Sequence, residues 1–76
     1  MQTTQVNPKY RANQHIVTRI REINTSITNV QKQIDELSSG ARPHTAEYLD
    51  SASQYLEIAK TDLKIANYCE VEGVND

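Results

Sequence analysis

Apolar residues recur along the first half of the chain at Ile16, Ile20, Ile23, Ile27, Val30, Ile34 and Leu37, in steps that alternate between four and three. That spacing is an unbroken heptad seam and predicts a helix. Ile20, Ile27 and Ile34 take the a positions, and Ile23, Val30 and Leu37 take d. A strand would need period two, which is absent. Ser38-Ser39-Gly40 follows, and Gly40 is expected to end the helix in the left-handed cap conformation. Pro43 stands three residues beyond and opposes simple continuation. At the start, Asn7-Pro8 offers one cap and first-turn proline, and Asn13 offers a later cap. An irregular lead through Tyr10-Arg11 and a helix over about 13–39 fit these signals best.

A second series runs Leu49, Ala52, Leu56, Ala59, Leu63, Ala66, in steps of three and four. Leucine and alanine alternate, so the small row admits a close neighbour and the large row fills the space beside it. The Ile-rich first seam is the expected partner. Thr45 is the expected N-cap, with Glu47 near the positive end of the helix dipole. The pattern therefore predicts an all-α, antiparallel two-helix hairpin as one domain over 1–76. The turn falls at about 40–45, the second helix at about 46–69, and a fraying tail at Val71–Asp76.

A further stripe, Tyr48, Tyr55, Ile58, Ile65 and Cys69, lies off the Leu/Ala seam. It either broadens the hairpin seam or forms a contact between subunits. The second reading is preferred, because an exposed stripe of that length invites aggregation. Composition points the same way. The chain has 76 residues and is 37% hydrophobic, below the ~45–50% usual for globular domains. A lone domain this small and this poor in apolar residues is marginal, which favours a compact homo-oligomer.

Composition also narrows the class. A single Cys excludes an internal disulfide, and no Cys/His cluster suggests zinc. No run of ~18 apolar residues predicts a membrane span. Met1-Gln-Thr-Thr-Gln has neither the basic nor the apolar region of a signal peptide, so a cytoplasmic protein is expected. Residues 1–42 hold six basic and three acidic residues, a net of +3, whereas residues 43–76 hold two and seven, a net of −5. The two helices either attract each other weakly or present a basic half to an anionic ligand. The acidic total argues against DNA as that ligand.

No catalytic constellation is evident. His15 and His44 are isolated, Cys69 has no nearby His, and Asp35 and Glu36 point in different directions on a helix. An enzyme, a cofactor and a bound metal are not expected. The Asn24-Thr25-Ser26 sequon has no secretory context. The unusual stretch is Asn24-Thr25-Ser26-Ile27-Thr28-Asn29, a run of poor helix formers in mid-helix. It is either a solvated face or a row of short polar groups kept for a ligand, with Arg19 and Arg21 one turn away supplying charge. Tyr10 and Arg11 add a ring able to stack on a base and a guanidinium suited to phosphate.

Three parts of the chain together resemble the phage anti-CBASS cyclic-nucleotide sponge family, whose helical hairpin is shared with a Thoeris anti-defence sponge family. They are the pair Tyr10-Arg11; the run Ile20, Glu22, Ile23, Asn24 continuing through Val30 to Ile34 and Leu37; and Tyr48-Leu49, Ala52, Tyr55-Leu56, Ala59, Leu63, Ala66. The resemblance spans about residues 10–68. It implies a small helical protein, assembled as an oligomer such as a hexamer, acting in the host cytoplasm. Such a protein binds cyclic dinucleotides, or a cyclic trinucleotide or cyclic ADP-ribose isomer, between protomers without cleaving them. Immune signalling is thereby starved of its messenger. Carried over by position, Tyr10 stacks on a base, Arg11 supports that loop or meets phosphate, Asn24 falls at the family's phosphate-binding lysine, and Ser26 falls at its hydroxyl residue. Thr28 belongs to the same polar patch. Asn24 lacks the lysine charge, which Arg21 or Arg19 is placed to supply, and Lys9 stands where the family has Gly. The rival reading is a helical protein-interaction module or inhibitor that docks a host protein through Tyr48, Tyr55, Ile58 and Ile65.

Overall fold

A computed structural model describes residues 10–74. They form α1 (Gln14–Ser39) and α2 (Pro43–Glu72), which pack as a hairpin with no strand among the described residues. The all-helical hairpin expected from the sequence is therefore present. Asn13 caps α1: its side chain accepts from the backbone N–H groups of His15 and Ile16. The Asn7-Pro8 alternative and Lys9 lie outside the described residues.

The turn is tighter than the sequence suggests. Gly40 is not left-handed (φ −108°, ψ 7°); α1 closes instead through Gly40 N–H donating to Leu37 O and Ala41 N–H to Ser38 O. Helix α2 then begins at Pro43, with Arg42 at the cap position, so Thr45 is not the N-cap. Pro43 starts the helix because its fixed φ and missing N–H suit the first turn, where that donor has no partner in any case. The second helix is longer at its C-terminus than the sequence suggests. Helix α2 runs to Glu72 and ends at Gly73 in the left-handed region (φ 71°), with the Gly73 and Val74 N–H groups both donating to Cys69 O.

Packing follows a different seam from the most apolar one. On α1, Val17, Ile20, Asn24, Ile27, Gln31, Ile34 and Ser38 are buried or half-buried, in heptad steps. On α2 the same holds for Ala46, Leu49, Ser53, Leu56, Lys60, Leu63 and Asn67. Each seam thus pairs an expected apolar row with a polar one. The other expected rows fall on a flank: Ile16, Ile23, Val30 and Leu37 are exposed, as are Ala52 and Ala66. Among the described residues only Val17, at 2% exposure, is fully buried. The polar seam rows are zipped by side-chain bonds. Gln31 Nε2 donates to Ser53 O (3.1 Å), Lys60 Nζ to Gln31 Oε1 (3.1 Å) and Ser38 Oγ to Asp50 Oδ1 (2.9 Å). The ion pairs found among the described residues each lie within one helix, so the opposite charges of the two halves do not bridge the hairpin.

A clasp holds the open end. Tyr10 Oη donates to Glu70 Oε2 (2.8 Å) and to the Glu70 carbonyl, and Asn13 N–H donates to the same carboxylate oxygen (2.8 Å). The Tyr10 ring rests on Gly73, where an added Cβ would come within 2.8 Å of it. Gly73→Ala therefore meets both a left-handed backbone and a ring, and should lower stability by about 1–2 kcal/mol or more in urea denaturation. Gly40→Ala meets nothing within 4 Å and a permitted φ. It should instead gain about 0.4–1 kcal/mol by restricting the unfolded chain.

The clasp is also titratable. The Asn13 N–H and the Tyr10 hydroxyl hold the Glu70 carboxyl below its ordinary pKa, and the bond to Glu70 holds the Tyr10 phenol above its own. The Glu70 contribution is present above the ordinary carboxylate pKa and fades as pH falls through the depressed one. The Tyr10 contribution is present below the ordinary phenol pKa and fades as pH rises through the raised one. Melting temperature should therefore fall at both extremes. Glu70→Gln should make the acid limb shallower, with the remaining slope coming from Glu57, whose carboxyl the Gln31 amide and Lys60 also hold low.

Candidate functional site: a cationic groove between the helices

The two flanks of the seam fall on opposite faces of the hairpin. At 100° per residue, Asn24 and Thr28 lie to one side of the Ile20/Ile27/Ile34 row, and Ile23 and Val30 lie to the other. In an antiparallel pair the matching flanks of α2 fall on the same faces. One face is therefore polar, and its larger hollow is a groove of about 460 Å³. Arg21, Asn24 and Thr28 line it from α1, and Lys60, Lys64 and Asn67 line it from α2. It carries three cations and no carboxylate, and its volume lies within the ~300–1,000 Å³ of small-molecule sites.

The polar groups are not equivalent. Thr28 Oγ1 donates back to Asn24 O (3.2 Å), a bond that tolerates a hydroxyl in mid-helix. Lys60 is held by Gln31 and lies 3.7 Å from Glu57, whereas Arg21 and Lys64 form no ion pair among the described residues. Asn67 Oδ1 is buried and accepts no hydrogen bond from the described residues. A buried acceptor without a donor is a cost that an N–H or O–H from a ligand relieves. The groove thus offers two unpaired cations for anionic oxygen and an acceptor for an exocyclic amine or a ribose hydroxyl.

The sequence-predicted residues divide. Arg21, Asn24 and Thr28 meet in this groove. Ser26 lies on the opposite face, in a shallow apolar hollow of about 230 Å³ with Arg19, Ile23, Val30 and Leu56. Arg19 pairs there with Glu22 (2.7 Å), so it is not available to replace the missing lysine charge in the polar groove. Tyr10 is engaged in the clasp one turn of α2 beyond Asn67, and Arg11 is exposed beside it. Lys60, Lys64 and Asn67 are not evident as site residues in the sequence, because their partners lie some forty positions away. For Lys60 and Asn67 the signal is the polar position, with Ser53, that recurs every seventh residue beside Leu49, Leu56 and Leu63; Lys64 lies one turn from Lys60 on the same side. At the loop end the same face turns acidic, with Asp35, Asp50 and Glu57 around a third hollow.

No family model matches the chain, and no curated protein or solved structure is significantly similar to it. Among the described residues no helix is long and apolar enough to cross a membrane, and no cluster of His, Cys, Asp and Glu is placed to hold a metal ion.

Proposed function

We propose that the chain binds a cyclic dinucleotide in the cationic groove and sequesters it without cleaving it, thereby lowering the free messenger of bacterial CBASS antiphage signalling. The observation that carries this reading is the groove itself. Among the described residues Arg21 and Lys64 form no ion pair and stand beside Asn24, Thr28 and the Asn67 acceptor; the groove lining holds no carboxylate, and the nearby Glu57 lies against Lys60 at its edge. Phosphate oxygens meet the cations, and the base or ribose edge meets the amides. The class of messenger comes from the resemblance at Tyr10-Arg11 and along both helices.

The groove is open on one side, so a single hairpin covers one face of a ring-shaped ligand. Assembly of several copies, with a hexamer as the family's form, closes the other face. The stacking role of Tyr10 then falls to a ring contributed by a neighbouring copy, because in its own hairpin that ring lies on Gly73. A symmetric assembly presents the same donor set to both halves of a near-symmetric ligand.

A thermal-shift panel tests this reading. It comprises cyclic di-AMP, cyclic di-GMP, a mixed cyclic dinucleotide, a cyclic triadenylate, a cyclic ADP-ribose isomer and the uncharged nucleosides. Ligands that bind only the folded state raise the melting temperature, by an amount that grows with the logarithm of ligand concentration above Kd. A rise with a cyclic dinucleotide and none with nucleosides is the expected result. A flat response across the panel overturns the proposal.

A further inference from the structure

The face opposite the groove is largely apolar, interrupted on α1 by Ser26 and the Arg19–Glu22 pair, and nothing covers it among the described residues. Ile16, Ile23, Val30 and Leu37 form a row along α1, with Leu37 64% exposed. Beside them on α2 runs the small row Ala52, Ala59 and Ala66, edged by Tyr48 and Tyr55 at 75% and 71% exposure. The remaining stripe residues, Ile58 and Ile65, fall on the back of α2, away from this face. The hairpin is a single layer of two helices, so each of its broad faces is free of a second layer among the described residues.

We infer that this face pairs with the same face of a second copy, so that two hairpins form a four-helix bundle with α1 of each lying over α2 of the other. The inference deepens the reading of the chain as self-associating and does not depend on the ligand. Two quantities select a second copy as the occupant. The exposed area of the six large side chains amounts to roughly 700 Å² per copy, close to the ~800 Å² per partner of a standard stable interface. The two rows are also complementary in volume. A bulky Ile/Val/Leu row fits over an Ala row with no void, whereas laying α1 over α1 would set bulky rows against each other and leave the Ala rows facing a gap. Gln31 bonds to Ser53 and Lys60, so residue 31 of α1 lies level with about residue 57 of α2. A two-fold axis along the helices keeps those levels. Val30 of one copy then lies near Ala59 of the other. The polar grooves are left on the outer surfaces, open to ligand and to further copies.

Light scattering after size exclusion, without ligand, tests the pairing. The unsubstituted chain should have the mass of two chains or an even multiple. Ile23→Glu with Val30→Glu should halve that number, while Ile58→Ser with Ile65→Ser should leave it unchanged. Crosslinking keeps the test independent of any folding defect in the Glu variant. In a Cys69→Ser background, chains carrying Val30→Cys are mixed with chains carrying Ala59→Cys and treated with a short thiol–thiol crosslinker. Crosslinks between the two kinds of chain are expected, and Val30→Cys chains alone should yield none. A monomeric or odd-numbered wild type, an unchanged mass in the Glu variant that is still helical, or the absence of mixed crosslinks would each overturn the pairing. An even-numbered assembly without mixed crosslinks would place the interface on another face while leaving self-association standing.

Discussion

Reversing Arg21 and Lys64 together (R21E/K64E) should weaken cyclic dinucleotide binding about 100-fold or more while leaving helicity unchanged. Each cation, unpaired among the described residues, faces the polar groove. A hydrogen bond from a charged donor contributes about 1.5–3 kcal/mol, and the lower figure applies because both side chains are solvated. Two such bonds lost, with repulsion in their place, exceed two orders of magnitude in Kd. Arg42→Glu makes the same kind of charge change at the loop end and should alter affinity less than threefold. Rising salt should weaken binding by the wild type and have little effect on what remains in the double variant. Titration calorimetry at two ionic strengths reads both effects. Equal losses from Arg42→Glu and from the groove variant would mean that net charge, not the groove, attracts the ligand.

Leu56→Ala should have the largest effect on stability, a loss of about 2–3 kcal/mol. Leu56 sits on the seam between the helices and lines the apolar hollow beside Ile23, Ile27 and Val30. Only one described residue is fully buried, so little reserve stands behind each seam leucine, and the variant should be largely unfolded at 25 °C by far-ultraviolet circular dichroism. Ser53→Ala, one turn away on the same seam, should change stability by less than about 0.5 kcal/mol. Gln31 bonds to the Ser53 backbone carbonyl, which alanine retains.

The contrast between these two positions shows what the sequence made legible. The rows Ile20/Ile27/Ile34 and Leu49/Leu56/Leu63 each repeat one bulky aliphatic residue over three heptads, and both face the partner helix as expected. Each such row borders two stripes, one on either side. Apolarity alone selects Ile23/Val30/Leu37 and Ala52/Ala59/Ala66 as the companions. The hairpin instead turns each helix toward Asn24/Gln31/Ser38 and Ser53/Lys60/Asn67, where Gln31 and Ser38 bond across the pair to Ser53 O, Lys60 and Asp50. A pattern search has no term for a bond between residues 31 and 60.

The same limit governs the site. Arg21, Asn24 and Thr28 were legible as a polar patch one to two turns long. Lys60, Lys64 and Asn67 join them only when the chain folds back. The sequence offers Tyr10 as a ring able to stack on a base, and its engagement by Glu70 depends on a contact sixty residues long. At the turn, Pro43 carried two opposite meanings, a barrier to one helix and a starter for the next. The tight three-residue connection decided for the second.

The central claim is that the groove holds a phosphate-bearing ring. It is tested most directly by titrating the unsubstituted chain with cyclic di-AMP, cyclic di-GMP and a mixed cyclic dinucleotide in a calorimeter, then recovering the ligand by heat denaturation and chromatography. The account predicts saturable heat with a Kd in the micromolar range or tighter for at least one of them, and the ligand recovered intact. No heat with any of the three, or recovery of a linear product, would contradict it.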